Sequence, residues 1–85
     1  MMMATDHKAA AGRNLVAKRS VVIAGHRTSV SLEEPFWEAL KEIAAEQGRP
    51  IAEFIAAIDA SRAGNNLSSA IRVTILEHFR TRAMN

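Results

Sequence analysis

From Ser20 to Leu32 the chain runs SVVIAGHRTSVSL, rich in Val, Ile, Thr and Ser and free of proline, which is the composition of a β-strand. Alternation is clearest from Arg27 to Leu32, where Thr28, Val30 and Leu32 share one face and Arg27, Ser29 and Ser31 the other. Counted backwards at the same period, Val21 and Ile23 fall on the polar face, so Gly25 is expected to mark a bulge or bend that resets the parity. The period then changes to that of a helix. Ser31-Leu32-Glu33-Glu34 has the form of a capping box, with Ser31 as N-cap and Glu34 reaching back, and Pro35 suits a first turn. Phe36, Leu40, Ile43 and Ala44, flanked by Trp37, predict a first helix up to Gln47, ended by Gly48. Pro50 opens a second helix with Ile51, Phe54, Ile55 and Ile58 in one stripe, and the run from Ala63 to Asn66 breaks it. A third helix, starting near Asn66 or Ser68, carries Leu67, Ile71, Ile75 and Phe79, with Val73 and Leu76 widening its apolar face. The expected fold is mostly α with one short β segment, in the order strand, helix, helix, helix.

A single strand leaves unpaired backbone donors and acceptors, so it needs a partner. Either Ser20–Ala24 folds back on Arg27–Leu32 through Gly25-His26, or the strand pairs with its copy in a second chain. Length favours the second. The chain has 85 residues, and its first part, residues 1–17, is Ala-rich and aperiodic, expected as a disordered basic tail before a domain over 18–82. A core that small seldom stabilises a fold by more than about 3–5 kcal/mol without disulfides, a metal or oligomerisation. Cysteine is absent, and His7, His26 and His78 are too scattered for metal-ligand spacing. Oligomerisation is left, and the broad apolar face of the third helix is expected to buttress a dimer or contact another protein.

Charge is modest in total and uneven along the chain. Residues 1–32 carry a net +4, residues 33–59 a net −5 and residues 60–85 a net +3. An anionic partner is therefore expected at the N-terminal part. No apolar stretch has signal-peptide or membrane-spanning length, so the chain is expected to be cytoplasmic and away from membranes. It has no Gly-rich phosphate loop, nucleophile elbow or His-Glu-x-x-His helix, and the glutamates Glu33, Glu34, Glu38, Glu42 and Glu46 recur at helical spacing as the exposed face of the first helix. No enzyme, cofactor or metal is expected.

Arg27-Thr28-Ser29-Val30-Ser31-Leu32, then Phe36-x-x-x-Leu40-x-x-Ile43-Ala44-x-x-x-Gly48 and Ile51-x-x-Phe54-Ile55, resembles a ribbon-helix-helix domain. The likeness extends over about residues 18–80. It is greatest to a small bacterial branch with a Gly-His-Arg-Thr-Ser-Val-Ser-Leu strand and an Asn-Leu-Ser-Ser-x-Ile/Leu-Arg third helix. The resemblance implies an intertwined homodimer, as such or paired into a tetramer, with an intermolecular antiparallel two-stranded ribbon that enters the DNA major groove. It implies a transcriptional regulator; the alternative is a dimeric protein-interaction module of the same fold that does not bind DNA. Arg27, Ser29 and Ser31 are the expected base-reading residues, since a guanidinium forks to guanine and hydroxyls donate or accept. Lys18, Arg19 and Arg49 are the expected phosphate contacts. Val30, Leu32, Trp37, Leu40, Phe54 and Ile55 are the expected core and dimer residues. Family members also clamp a phosphate at the start of the second helix, often beneath a Ser or Thr cap. Here Arg49-Pro50 stands in that place, with Glu53 close behind.

Overall fold

In a computed structural model that describes residues 15–64 and 66–84, two strands precede three helices. The strands are β1 (Val16–Ile23) and β2 (His26–Glu33); the helices are α1 (Glu34–Glu46), α2 (Ile51–Ser61) and α3 (Leu67–Met84). β1 and β2 form one antiparallel ribbon, with Val16 opposite Glu33 and Ile23 opposite His26. Both strands belong to the same chain. The fold-back alternative therefore replaces the expected pairing between copies, and the loop is Ala24-Gly25, one residue ahead of Gly25-His26.

The loop explains the parity problem. Ala24 has φ +51° and Gly25 φ +84°, the two positive values a tight two-residue hairpin loop requires. The register pairs odd positions of β1 with even positions of β2, so Ala17, Arg19, Val21 and Ile23 lie on the same face as Leu32, Val30 and Thr28. Parity thus changes at the turn itself, with no bulge. Because alanine is strained at positive φ and Asn-Gly is the favoured pair for this loop, Ala24→Asn is expected to stabilise the domain by about 0.5–1 kcal/mol in urea denaturation. An unchanged midpoint would contradict the turn geometry.

β1 starts at Val16, so residues 16 and 17 belong to the ribbon rather than to the tail. The rest of the expected tail, with Lys8 and Arg13, lies outside the described residues. The capping box does not form. α1 begins after Glu33, which has extended backbone and no side-chain cap; Ser31 stands two residues earlier, held in the strand ladder opposite Lys18. At the other end of α1, the Gly48 N–H donates to the Ala45 carbonyl (3.1 Å) and the Arg49 N–H to the Ala44 carbonyl (3.1 Å). With Gly48 at φ +67°, this is a glycine-terminated helix end that turns the chain toward Pro50. α3 has a side-chain cap, the Ser69 N–H donating to Asn66 Oδ1 at 2.8 Å.

The core lies between the inner face of the ribbon and the helices. Ile23, Val30 and Leu32 come from the ribbon, Trp37, Leu40, Ile43 and Ala44 from α1, Phe54, Ile55 and Ile58 from α2, and Ile71 and Ile75 from α3. Every expected core residue is buried there. α3 buries less than its sequence promised: Val73, Leu76 and Phe79 are 52%, 54% and 37% exposed. Val73 and Leu76 are turned away from Ile71 on α3, while Phe79, one turn beyond Ile75, lies at the border of the core, where it lines a shallow groove with Phe36, Ile75 and Leu76.

Candidate functional site

The outer face of the ribbon is built by alternation. Val30 and Leu32 are driven inward by burial, which turns Arg27, Ser29 and Ser31 outward. The register then places Val22 beside Arg27, Ser20 beside Ser29 and Lys18 beside Ser31. Lys18, Ser20, Arg27 and Ser29 are exposed and Ser31 partly so. This face is a flat strip of two cations and three hydroxyls, with Val22 at its tip. Sequence reasoning misses Ser20 because it takes the outer face from Arg27, Ser29 and Ser31 alone and does not carry it across the turn to β1; the alternation Lys18-x-Ser20-x-Val22 carries the signal.

The three expected phosphate contacts divide. Lys18 joins the outer face. Arg19 does not, because it occupies an inward position: its Nη2 donates to both carboxylate oxygens of Glu34 (3.0 and 3.2 Å), and its guanidinium stacks 4.9 Å from the Trp37 ring. Arg49 sits at the far end of α1, its Nε donating to Gln47 Oε1 (2.8 Å) and its guanidinium 4.9 Å from the Phe54 ring. The start of α2 bears no side-chain cap, Pro50 standing at the N-cap and Glu53 in the first turn.

α3 anchors the ribbon from the side. The Ser31 N–H donates to Ser68 Oγ (3.2 Å), and Arg72 Nη2 donates to the Ser31 carbonyl (3.3 Å). Arg72 Nε also donates to Glu33 Oε1 at 3.0 Å. The backbone of Ser31 is thus engaged along the edge of β2, and its side chain serves no helix cap. The Glu33 carboxyl is held below the usual carboxylate range, first by its own backbone N–H and then by Arg72. Since the folded value lies below the unfolded one, this stabilisation is complete at neutral pH and disappears as pH falls through the carboxylate range. Glu33→Gln should therefore lose less melting temperature than the native chain between neutral pH and about pH 3. An identical loss in both would remove Glu33 from the acid response.

Among the described residues, no His, Cys, Asp and Glu side chains gather as a metal-binding group of three, and no helix is long and apolar enough to cross a membrane. Residues 16–79 match the family model of the ribbon-helix-helix domain. Among solved structures, the chain is similar to an uncharacterized protein from Bordetella pertussis Tohama I. The likeness has a TM-score of 0.76 and 30% identity, covering 98% of this chain and 70% of that one. No curated protein matches the chain.

Proposed function

The chain belongs to the ribbon-helix-helix family, and on that footing we propose that it is a homodimeric DNA-binding protein that acts as a transcriptional regulator in the cytoplasm. Its ribbon enters the major groove outer face first. A two-stranded ribbon has the width for that groove, where each base pair presents a distinct set of donors, acceptors and methyl groups. Arg27 forks to a guanine, Ser29, Ser20 and Ser31 make the more tolerant contacts, and Lys18 neutralises a phosphate. Arg19 has no part in this reading.

The observation that supports it is the register, which gathers Lys18, Ser20, Arg27, Ser29 and Ser31 on one outward strip while the opposite face is spent on the core. One observation favours the second reading, a dimeric protein-interaction module without DNA contact. Pro50 at the uncapped start of α2, with Glu53 behind it, makes a poor phosphate clamp. Selection of bound duplexes from a random library at low salt separates the two. The regulator returns an enriched motif whose affinity falls steeply with salt; recovery of no motif leaves the interaction module.

A further inference from the structure

Beside the tip of the ribbon, on the edge of β2 that faces away from β1, is an open cleft of about 470 Å³. It is bounded by Arg27 and Ser29 of the strand, by Asp59 and Arg62 at the end of α2, and by Asn66 and Ser68 at the start of α3. The polar groups here have a common bias. Asn66 has committed its Oδ1 to the Ser69 N–H, so its amide NH₂ is what it can offer the cleft. Ser68 Oγ already accepts from the Ser31 N–H, which leaves its own proton to donate. Strand alternation aims the Ser29 N–H in the same direction as that of Ser31. Arg27 and Arg62 offer only donors. The one anionic group, Asp59, takes a hydrogen bond from Arg62 Nε at 2.6 Å, so its charge is already matched within the protein.

Two guanidiniums, an amide NH₂, a hydroxyl proton and the Ser29 N–H, set against one carboxylate already paired with Arg62, give the cleft a balance of donors and positive charge that suits an oxyanion. We propose that it holds a phosphate of the DNA backbone, gripped by Arg62, Asn66 and Ser68 beside the base pair that Arg27 contacts. The site rests on the DNA-binding reading and deepens it. It supplies, from the α2–α3 corner, the backbone anchor that Pro50 weakens at the start of α2. The cleft adjoins the outer strip through Arg27 and Ser29, so a ribbon lying in the groove would carry it to the flanking backbone. Division of labour follows: Arg27 stays with the bases, while the corner fixes the register of the ribbon on the duplex.

Two variants test this on the full chain. Asn66→Asp keeps a good helix cap but replaces the donor amide with a carboxylate, and Arg62→Gln removes a cation. Both are compared with the native chain in thermal melts, in titrations of a selected duplex against salt, and in amide chemical-shift titrations with inorganic phosphate. Each variant is expected to bind all duplexes more weakly, about tenfold for Asn66→Asp, with unchanged sequence preference and with the salt slope reduced by about one per chain. Melts should be unaltered for Asn66→Asp. Inorganic phosphate should shift the Ser68 and Asn66 amides of the native chain at millimolar concentration and not those of the variant. Unchanged duplex affinity and salt slope in both variants overturn the site while leaving the reading strip intact. If the native chain binds phosphate at these amides but no duplex, the nucleic-acid source and the DNA reading fall together, and the cleft serves a free phosphate.

Discussion

Trp37→Ala is expected to unfold most of the molecules at room temperature. The indole is 2% exposed at the centre of the core, and three separate features converge on it. Its Nε1–H donates to the Ala17 carbonyl at 2.9 Å, its ring lies beneath the Arg19 guanidinium, and Arg19 in turn is tied to Glu34 at the start of α1. The side chain thus fastens the first turns of β1 and α1 to each other. Truncating a buried aromatic to alanine costs about 3–5 kcal/mol, comparable with the whole stability of a domain this small. Trp37→Phe keeps most of the volume and forfeits the hydrogen bond, for a loss nearer 1 kcal/mol. The chain has one tryptophan, so far-UV circular dichroism in urea is the measure common to all three proteins. A cooperative transition in Trp37→Ala within about 1 kcal/mol of the native chain would contradict this account of the core.

Arg27→Ala is the largest expected effect on recognition. Arg27 is exposed at the ribbon tip, opposite Val22, and none of the described ion pairs engages it. Its guanidinium is available for the bidentate contact to guanine that dominates specific readout. Loss of that contact removes about 1–3 kcal/mol of discrimination at one base pair in each half-site. Affinity ratios between the selected duplex and a duplex altered at that pair measure it directly. Arg27→Lys should retain the charge and the salt dependence but recover little discrimination, because an ammonium lacks the fork. If Arg27→Ala weakens all duplexes equally, the residue contacts phosphate and the bases are read elsewhere.

Much of the fold is legible in the sequence because its signals are local. The 3.6-residue stripes of the helices, Gly48 behind α1 and Pro50 ahead of α2 act within a few positions of their own, and each appears where the pattern puts it. The ribbon is different. Whether a strand pairs with its neighbour or with a copy depends on the turn, and Ala24-Gly25 lacks the usual Asn-Gly or Asp-Gly signature; the strain at Ala24 is what hides it. Lys18 and Arg19 are read together from their charge, and only the register separates them, turning Lys18 outward and Arg19 toward Glu34 and Trp37. The capping box fails through a contact between distant parts of the sequence: Ser31 is kept extended by the ladder and by Ser68 and Arg72, thirty-seven and forty-one positions away. Of the outer strip, Lys18, Arg27, Ser29 and Ser31 can be picked out in advance. Ser20 and the corner formed by Arg62, Asn66 and Ser68 cannot, because their relevance comes only from the register and from the way α3 leans on the ribbon.

That leaning helix makes the two margins of the ribbon unequal. On the β2 side, Ser68 and Arg72 occupy the N–H and the C=O of Ser31, so another strand cannot pair along the whole length of β2, although the edge by Ser29 opens on the cleft. On the β1 side, none of the described side-chain bonds reaches the outward backbone groups of Lys18, Ser20 and Val22. A sheet with one interrupted margin adds a strand more readily at the other. If two copies join through their β1 margins, a four-stranded sheet results with the two β2 margins, each interrupted at Ser31, left outermost. The same serine and arginine that steady the ribbon would then hinder further strands at both outer edges of such a sheet.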